Sequence, residues 1–406
     1  MSFKAWREVS LEQISNMKYG KMPKKDRIRD KGYPIYTGYK IAGFYDEYMF
    51  ENPELLVVAR GVGGTGDVKI APPKSYITNL SIVLLLDELQ ADKRYLFYNL
   101  GNENLRMLDS GSAQSQITIA DLKRYKITLP PIQEQKAIAK ILSTLDDKIE
   151  VNNQINKTLE NMAQAIFKQW FVDFEFPNED GDPYKSSGGE MVESEIGMIP
   201  KGWEVVKLET VCREITRGFT SKYVEKSRFK NLNQKVNKGE VLEKQYYKFL
   251  REDIEIPQNK FVKKYDILLN SLGQGTLGRL HFFIEDEENV VIDQHITIIR
   301  AEHETSFDSY LYHLLSSSKY TQIFDGLVSG STGMQMLNIS KVRSLTVCMP
   351  PVDLQKDFDN RIKTLYKKKE VLLYENEYLK LIRDSLLPKL MSGEIRVPLD
   401  KEGDAS

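Results

Sequence analysis

Two stretches decide the fold of this 406-residue chain, and each precedes a long run of helical sequence: Pro130-Pro131-Ile132-Gln133-Glu134-Gln135-Lys136 and Pro350-Pro351-Val352-Asp353-Leu354-Gln355-Lys356. The residues before them also correspond. A tryptophan-led strand opens each copy, as Trp6-Arg7-Glu8-Val9-Ser10-Leu11 and Trp203-Glu204-Val205-Val206-Lys207-Leu208. The chain therefore contains two divergent copies of one domain, each followed by a helix, and the second copy carries extra residues in its loops.

Three further motifs recur in the same order within the two copies. They are a glycine-rich segment, an aromatic segment and a serine–glycine segment: Gly61-Val62-Gly63-Gly64-Thr65-Gly66 and Gly273-Gln274-Gly275-Thr276-Leu277-Gly278, Tyr95-Leu96-Phe97-Tyr98 and Tyr310-Leu311-Tyr312-His313, and Ser110-Gly111-Ser112 and Ser329-Gly330-Ser331. Two similar domains on one chain predict a molecule that binds two similar partners or sites at a fixed distance.

Composition limits the classes of protein that this chain can belong to. Its length suits two domains with connecting helices, and 41% hydrophobic residues can supply a core for each. A net charge of −1 argues against a wholly basic nucleic-acid binder, so any DNA contact must come from local clusters. Cys212 and Cys348 are the only cysteines, which fits a reducing compartment. With no signal peptide or membrane-length apolar run visible, we expect a cytoplasmic protein.

Both copies read as mixtures of strands and helices. In the first copy, Leu55-Leu56-Val57-Val58-Ala59 and Ile82-Val83-Leu84-Leu85-Leu86 are short apolar runs bounded by turn residues, and residues 92–101 predict a short helix. In the second copy, Ile267-Leu268-Leu269 and Ile296-Thr297-Ile298-Ile299 repeat the pattern. Residues 176–200 are rich in Gly, Pro, Ser and acidic residues, which predicts a linker over the surface.

The two helices carry apolar residues at alternating spacings of four and three, which is typical of a coiled-coil seam. The seam positions are Ile138, Leu142, Leu145, Ile149, Leu159, Ala163, Ile166 and Trp170 in the first helix, and Phe358, Ile362, Leu365, Leu372, Leu379, Leu386 and Leu390 in the second. At ~1.5 Å per residue, helices of about 35 residues would hold two domains on the order of 50 Å apart. We interpret the helices as a spacer.

Polar residues interrupt this seam at defined places. Asn156 and Asn376 occupy the same seam position, and a facing amide pair would define the register of an antiparallel pair. The alternative is that each Asn marks a weak, partly exposed seam position. Lys369 and Arg383 also fall in the seam, and Pro388 should kink or stop the second helix. We therefore expect the far end of the helix pair to be loose.

The sequence lacks the motifs typical of several enzyme classes. Both glycine-rich segments have the Gly-x-Gly-x-x-Gly spacing, but no helix follows them, so we interpret them as turns between strands rather than as a nucleotide site. All four histidines lie in the second copy, so a site common to both copies cannot use them. An adenine methyltransferase would need an Asn/Asp-Pro-Pro-Tyr/Phe motif. The nearest match, Asp182-Pro183-Tyr184, lacks the second proline. An Asp…Glu-x-Lys nuclease stays open, because that pattern is frequent by chance.

Local positive charge recurs at matching places in the two copies. Residues 18–31 hold seven basic and two acidic residues, and residues 213–230 hold six basic and two acidic residues. Both segments follow the opening strand and include aromatic residues. Basic loops interleaved with aromatic residues suit contact with DNA phosphates and grooves, whereas most charged runs are simply solvated faces. Because the feature occurs twice, we favour DNA.

The repeat, the Pro-Pro-x-x-x-Gln-Lys helix starts and the glycine-rich turns together resemble the specificity subunit of type I restriction–modification enzymes. The resemblance spans nearly the whole chain, and its most telling parts are Leu129-Pro130-Pro131-Ile132-Gln133-Glu134-Gln135-Lys136 and Ile199-Pro200-Lys201-Gly202-Trp203. It implies an α+β chain in which two mixed α/β target recognition domains are separated by two long helices. It also implies that these helices form an antiparallel coiled coil with pseudo-twofold symmetry.

The resemblance also implies a division of the chain and a function. We expect a first target recognition domain at residues 1–130, a spacer helix at 131–175, a linker at 176–200, a second recognition domain at 201–350, a spacer helix at 351–393 and a flexible tail at 394–406. Each domain would bind half of a bipartite, asymmetric site in double-stranded DNA. The helices would set the gap and dock two modification subunits that use S-adenosylmethionine. Restriction subunits using ATP and magnesium would join them, and this chain would hold no cofactor, metal or catalytic residue.

Candidate DNA-binding residues follow from the basic segments and the matched loops. For phosphates we nominate Lys21, Lys24, Lys25, Arg27, Arg217, Lys222 and Arg228. For base edges we nominate Tyr36, Thr37, Tyr39, Arg60, Ser112, Gln114 and Gln116 in the first copy, and Ser271, Gln274, Arg279, Ser331, Thr332 and Gln335 in the second. Arginine can pair with guanine and glutamine with adenine in the major groove.

Two other classes of function compete with this interpretation. One is a coiled-coil interaction scaffold without DNA specificity, whose function would survive neutralisation of the basic loops. The other is an enzyme that uses a nucleotide or S-adenosylmethionine on the glycine-rich turns, which would bind its cofactor as an isolated chain.

Overall fold

The short apolar runs of the first copy form buried strands, and glycine or proline residues turn the chain between them. The structure is a computed structural model that describes residues 5–61, 64–109, 115–220, 222–273, 275–329 and 336–398. In the first copy and its helix the elements are β1 (Arg7–Ser10), α1 (Leu11–Ile14), β2 (Ser15–Tyr19), β3 (Ile28–Arg29), β4 (Tyr33–Tyr36), β5 (Ile41–Tyr45), β6 (Leu55–Val58), β7 (Val68–Ile70), β8 (Tyr76–Ile77), β9 (Ser81–Leu86), α2 (Lys93–Gly101), α3 (Ile119–Arg124), β10 (Lys126–Leu129) and α4 (Ile132–Phe167).

The second copy repeats this order after a hairpin. Its elements are β11 (Met191–Ser194), β12 (Gly197–Pro200), β13 (Glu204–Lys207), β14 (Cys212–Arg217), β15 (Tyr223–Val224), β16 (Lys230–Leu232), β17 (Lys248–Leu250), β18 (Ile267–Asn270), β19 (Leu280–Phe282), β20 (Val290–Ile292), β21 (Ile296–Ala301), α5 (Asp308–Ser316), α6 (Ser318–Leu327), β22 (Val328–Ser329), β23 (Met336–Leu337), α7 (Ile339–Arg343), β24 (Thr346–Met349) and α8 (Val352–Ser392). The mixed α and β content confirms the predicted α+β class.

The two copies share one sheet topology. Strand β1 pairs with β10, and two four-stranded sheets have the orders β2-β9-β6-β7 and β3-β5-β4-β8. In the second copy β13 pairs with β24, and the sheets have the orders β14-β21-β18-β19 and β15-β17-β16-β20. Even the parallel pairs correspond, β4 with β8 and β16 with β20. The glycine-rich segments connect β6 to β7 and β18 to β19, which confirms that they are turns between strands.

The chain divides into two compact units. Unit 1 runs up to Val151 and resumes at Glu375, and unit 2 is Asn152–Tyr374, so the divisions fall within α4 and α8. The core of unit 1 joins its large sheet to α2, α4 and the end of α8, through residues such as Leu55, Tyr95 and Leu142. The core of unit 2 is richer in aromatic side chains, with Phe167 and Phe358 at its centre. Within the described residues no helix is both long and apolar enough to span a membrane.

The glutamine of each Pro-Pro-x-x-x-Gln-Lys stretch anchors a long helix to its own domain. Gln135 is buried, and its Nε2 donates to the carbonyls of Pro130 at 2.9 Å and Gln90 at 3.0 Å, while its Oε1 accepts from the backbone N–H of Asp92 at 2.9 Å. Gln355 makes the same set of bonds, with its Oε1 accepting from the N–H of Phe307 at 3.2 Å. One side chain therefore joins the start of the long helix to the start of α2 or α5.

Within unit 1 the segments of α4 and α8 contact each other through ion pairs. Asp146 pairs with Arg383 at 2.7 Å, and Lys148 pairs with Glu375 at 3.4 Å. Residue numbers rise along α4 as they fall along α8, so the two segments run antiparallel within this unit.

Within unit 2 the helix segments also run antiparallel. Glu160 pairs with Lys369 at 2.7 Å, and the ring of Phe167 lies 5.9 Å from that of Phe358. The Lys369 and Glu160 side chains are 11% and 3% exposed, so this seam position holds a buried ion pair instead of an apolar contact. The hydroxyl of Tyr312 also donates to Glu160 at 3.3 Å.

The second long helix continues through Pro388 and ends at Ser392, so the prediction that this proline stops the helix is wrong. Proline removes one helical hydrogen bond and crowds the preceding turn. The loss is offset because Leu390 and Met391, just beyond the proline, are buried in the core of unit 1. The far end of α8 is therefore packed rather than loose.

Residues 176–200, predicted as a surface linker, contain folded structure. The hairpin of β11 and β12 lies within them. Phe176 is buried, stacks on Tyr184 at 4.6 Å and approaches the ring of Trp203 at 5.6 Å. The composition suggested exposure, but three aromatic rings supply enough apolar surface to pack the segment into unit 2.

Candidate nucleic-acid interface

Matched backbone hydrogen bonds build one loop cluster in each copy. The N–H of Ala59 donates to the Leu80 carbonyl at 2.8 Å, and the Ala59 carbonyl accepts from Ile117 at 2.9 Å. In the second copy Ser271 donates to the His295 carbonyl at 2.7 Å and accepts from Leu337 at 2.8 Å. These bonds join the glycine-rich turn, the turn before β9 or β21, and the segment before α3 or α7. We call the two clusters the first loop edge and the second loop edge.

The first loop edge brings together Thr37, Tyr39, Arg60 and Gln116, four of the residues nominated for base contact. Arg60 is exposed and forms an antiparallel bridge with Gln116. The Tyr39 ring covers the glycine-rich turn, and its hydroxyl donates to the Arg60 carbonyl at 3.5 Å. Thr37 closes the turn that carries Tyr39, since its hydroxyl donates to the Lys40 carbonyl at 3.1 Å.

Glycine is required where the Tyr39 ring meets this turn. A Cβ on Gly64 would lie 2.1 Å from the ring carbon Cε1, and Gly61 has a φ of +146° that side chains rarely adopt. The glycines therefore let an aromatic ring lie directly on the backbone. Tyr36 is half-buried in β4, and Ser112 and Gln114 lie outside the described residues.

The basic segment of the first copy is only partly available for phosphate contact. Lys21, Lys24 and Lys25 are exposed, and none makes an ion pair within the described residues. The Arg27 guanidinium instead pairs with Asp46 at 2.7 Å and Glu47 at 3.0 Å. These bonds raise the pKa of Arg27 and compensate its charge. The three lysines remain good phosphate candidates, whereas Arg27 is already engaged within its own domain.

In the second copy, too, some basic residues are exposed and others are engaged within their own domain. Lys222 is exposed. Arg228 is exposed and lies 3.8 Å from Glu252. Arg217 is half-buried, its guanidinium donates to the Leu337 carbonyl, and burial lowers its pKa. Arg217 therefore holds β23 in the second loop edge, and the structure does not present it to a phosphate.

The structure contradicts one nominated base contact. Ser271 is fully buried, and its hydroxyl lies 2.6 Å from that of Thr297, so it cannot reach a base edge in this conformation. It belongs to the frame of the second loop edge, where its backbone joins two loops. Arg279 is half-buried and donates to the Gly275 carbonyl at 2.8 Å. Gln274, Ser331, Thr332 and Gln335 lie outside the described residues.

Sequence reasoning missed the turn before β21, which forms part of the second loop edge. It carries Asp293, Gln294 and His295, and the Thr220 hydroxyl donates to Gln294 Oε1 at 2.6 Å. No motif marks this turn. The one available signal was positional, because it corresponds to residues 78–81 of the first copy once the strands are aligned.

The two seam asparagines are both buried, Asn156 at 7% exposed and Asn376 at 3%. This contradicts the alternative that they mark partly exposed positions. The amide of Asn156 has no hydrogen-bond partner among the described residues. The facing of Asn156 and Asn376 stays a prediction, since the two residues belong to different units.

No group of three or more His, Cys, Asp or Glu side chains is placed to hold a metal ion in the described parts of the chain. The histidines are engaged locally instead. His303 lies 2.7 Å from Asp308, and His281 lies 3.3 Å from Glu285. The expectation that this chain carries no metal or cofactor stays a prediction.

The chain, with its loop edges and long helices, is similar to a known protein family. The family model of the type I restriction modification DNA specificity domain matches residues 4–161 and 200–377. The type I restriction enzyme MjaIX specificity subunit of Methanocaldococcus jannaschii is 27% identical over 318 residues, covering 75% of this chain and 69% of that protein. The HindI specificity subunit of Haemophilus influenzae is 26% identical over 328 residues, covering 69% and 71%.

A solved structure shares the fold. The crystal structure of a type I restriction–modification S subunit from M. genitalium matches with a TM-score of 0.61 at 20% identity, covering 95% of this chain and 96% of that one. Two domain matches on one chain define a protein with duplicated specificity domains. The chain belongs to the type I restriction–modification specificity-subunit family, which confirms the resemblance drawn from its repeats.

Proposed function

We propose that this chain is the DNA sequence-specificity subunit of a type I restriction–modification complex, and that each copy binds one half of a bipartite, asymmetric site in double-stranded DNA. Membership of the family supports the class of function. The assignment of one half-site to each copy rests on the two loop edges.

One observation carries the proposal: the loop edges share a backbone frame but differ in side chains. Arg60 and Gln116 are bridged in the first copy, and Leu272 and Met336 are bridged at the same place in the second. Because the two copies share this backbone arrangement but differ in side chains, they would dock on DNA in similar ways and contact different bases. Arginine and glutamine offer hydrogen bonds to purines, whereas leucine and methionine offer apolar contact such as that with a thymine methyl group. The bound site should therefore be asymmetric.

The exposed lysines of the basic segments would contact phosphates and position each domain on the duplex. Lys21, Lys24 and Lys25 serve the first copy, and Lys222 serves the second. Such contacts orient a protein without reading sequence, so their loss should weaken binding in a salt-dependent way and leave the recognised bases unchanged.

The two long helices would form an antiparallel coiled coil related by a pseudo-twofold axis, which sets the gap between half-sites and docks two modification subunits. Antiparallel contacts within each unit support this arrangement, as do Gln135 and Gln355, which anchor the helices in matching ways. Two equivalent helix anchors on one chain suit two copies of the same partner.

In this proposal the chain itself performs no chemical step. The modification subunits would bind S-adenosylmethionine and methylate adenine, and restriction subunits would use ATP and magnesium to translocate and cleave DNA. All of these partners act on cellular DNA, so we place the complex in the cytoplasm.

Single-molecule methylation sequencing of the host genome, with and without the gene, tests the proposal. We expect one bipartite adenine-methylated motif to vanish on deletion and to return when the gene is restored. As a control for expression of neighbouring genes, the gene is restored with stop codons from Trp6 onward, so that its DNA is present but the protein is not made. An unchanged set of methylated motifs, with the modification subunits shown to be present, would contradict the proposal.

A further inference from the structure

The turn of residues 293–296 in the second loop edge carries two side chains, Gln294 and His295, that keep hydrogen-bonding atoms available. Its backbone position matches residues 78–81, because Thr78 donates to the Tyr36 carbonyl at 3.0 Å and Asp293 donates to the Leu232 carbonyl at 3.0 Å. In the second copy the N–H of Ile296 closes the turn by donating to the Asp293 carbonyl at 3.1 Å, and the turn of the first copy closes in the same way. The two central positions of this turn hold Gln294 and His295 in the second copy. Both residues therefore lie on the second loop edge.

Gln294 is exposed and held in one orientation. Its Oε1 accepts from the Thr220 hydroxyl at 2.6 Å, which leaves the two Nε2 hydrogens without a partner among the described residues. The oxygen can still accept a second bond. A side-chain amide with a donor and an acceptor available side by side matches the N7 and N6 edge of adenine.

His295 is oriented by a buried carboxylate. Asp293 is 3% exposed, its Oδ1 accepts from the backbone N–H of His295 at 2.8 Å, and its Oδ2 lies 2.7 Å from His295 Nδ1. Nδ1 is engaged by this carboxylate, so Nε2 is the ring nitrogen left available to a ligand within the described residues. The His295 side chain is 32% exposed, so Nε2 can meet the edge of a base.

Gln234 lies against the glycine-rich turn in the place that Tyr39 occupies in the first copy. A Cβ on Gly273 would lie 2.5 Å from Gln234 Oε1, as a Cβ on Gly61 would lie 2.5 Å from the Tyr39 hydroxyl oxygen. Gln234 Oε1 is buried and has no hydrogen-bond partner in the described parts of the chain. Because this oxygen is buried, it does not meet a base edge in this conformation, and Gln234 belongs to the frame of the second loop edge.

We propose that Gln294 and His295 are specificity-determining residues that read base edges in the half-site bound by the second copy, an inference that rests on the proposed function. Gln294 pairs with adenine. His295 contacts a base edge through Nε2. Thr220 and Asp293 are positioning residues, because they act by orienting Gln294 and His295.

Methylation sequencing of the reconstituted complex tests this assignment. The full-length chain is expressed with its modification subunits in a host without adenine methylation, as wild type and as the variants Gln294→Ala and His295→Ala. Gln322→Ala is the matched control, because this glutamine is exposed on α6 of the same copy. We expect each test variant to relax the motif at one or two positions of a single half-site, with preference for the original base falling ~10-fold or more, and Gln322→Ala to leave the motif intact.

The outcomes separate this inference from the function on which it rests. A bipartite motif in the wild type that Gln294→Ala and His295→Ala both leave unchanged overturns the assignment and leaves the proposed function standing. Absence of any bipartite motif in the wild type overturns the proposed function and this inference together. Because Gln294 is exposed, its variant should fold normally, and an unchanged thermal midpoint would show that relaxed specificity is not a consequence of unfolding.

Discussion

His313 shows at the scale of single residues how burial sets chemistry. Its ring stacks on Phe167, its Nε2 lies 2.7 Å from the Tyr366 hydroxyl, and burial lowers its pKa to about 4. The charge of Lys369 lowers the pKa further, and Glu160 opposes this effect. His313 is therefore neutral in the folded protein, and the tyrosine hydroxyl donates to it.

We predict that this histidine makes unfolding easier as pH falls from about 6.5 to about 4. In that window the unfolded chain binds a proton that the folded chain excludes, so the free energy of unfolding falls by up to ~1.4 kcal/mol per pH unit. The stabilisation is complete above pH 6.5 and is lost as pH drops. Urea unfolding at pH 7 and pH 5 measures it. His313→Gln should lose this slope, exposed His303→Gln should keep it, and equal slopes in all three proteins would contradict the argument.

Gln135 and Gln355 make a matched test of helix anchoring. Replacing either with alanine leaves the backbone N–H of Asp92 or Phe307 without its side-chain acceptor. An unsatisfied buried group costs ~1–3 kcal/mol, so we expect each variant to lower the free energy of unfolding by that amount. Gln133→Ala, at an exposed position of the same turn, is the control. Equal urea midpoints for Gln133→Ala and Gln135→Ala would show that the anchoring bonds contribute little.

The elements that carry the most specific contacts are the two long helices. A regular apolar seam can slip by a heptad at little cost, whereas a buried ion pair cannot, because a slip leaves a charge without its partner. The buried pair of Glu160 with Lys369 therefore restricts the register within unit 2, and the half-exposed pair of Asp146 with Arg383 contributes less in unit 1. The seam lysine and arginine that looked like defects in the sequence are matched by acids on the other helix.

We predict that Lys369→Ala destabilises unit 2 by ~3–5 kcal/mol, because it leaves the buried Glu160 carboxylate uncompensated. Lys368→Ala removes an adjacent, exposed lysine and should have almost no effect. The double variant Glu160→Leu with Lys369→Leu should recover part of the loss, since no charge stays buried. Denaturant unfolding monitored by tryptophan fluorescence measures all three variants. Similar effects of the Lys368 and Lys369 variants would argue that the ion pair does not restrict the helices.

At the scale of the whole molecule, the backbone arrangement is common to the two copies, whereas the side chains that would contact bases differ between them. The two copies keep the same strand order, helix anchors and loop hydrogen bonds, while the side chains on their loop edges differ. A substitution on one loop edge should therefore act on one half of the DNA site.

We predict that Arg60→Ala relaxes recognition in a single half-site, at a cost of ~1–3 kcal/mol for the base concerned. The measurement is the methylated motif of the reconstituted complex. Arg124→Ala is the control, because this arginine is exposed on α3 of the same copy. Equal loss of recognition in both halves would remove Arg60 from the base-reading set.

Much of the fold was accessible from sequence, because its signals are local. The buried strands around Leu55 and Ile267, the turns at the glycine-rich segments and the starts of both long helices lie where the patterns placed them. The hairpin in residues 191–200 and the helix beyond Pro388 were missed. In both cases apolar contacts with distant segments outweighed a local composition that favours loops or breaks helices.

Repeats and periodicity are local properties of the amino-acid sequence, and they were enough to predict a duplicated α+β chain with two long helices. Tertiary structure alone decided which polar side chains are available. It buried Ser271, paired Arg27 with acidic residues, used Arg217 to hold a strand, and brought Thr220 against the turn at Gln294 in the second copy. The physical reason is that exposure and hydrogen bonding depend on neighbours that lie far apart in sequence, and a loop pattern does not specify those neighbours.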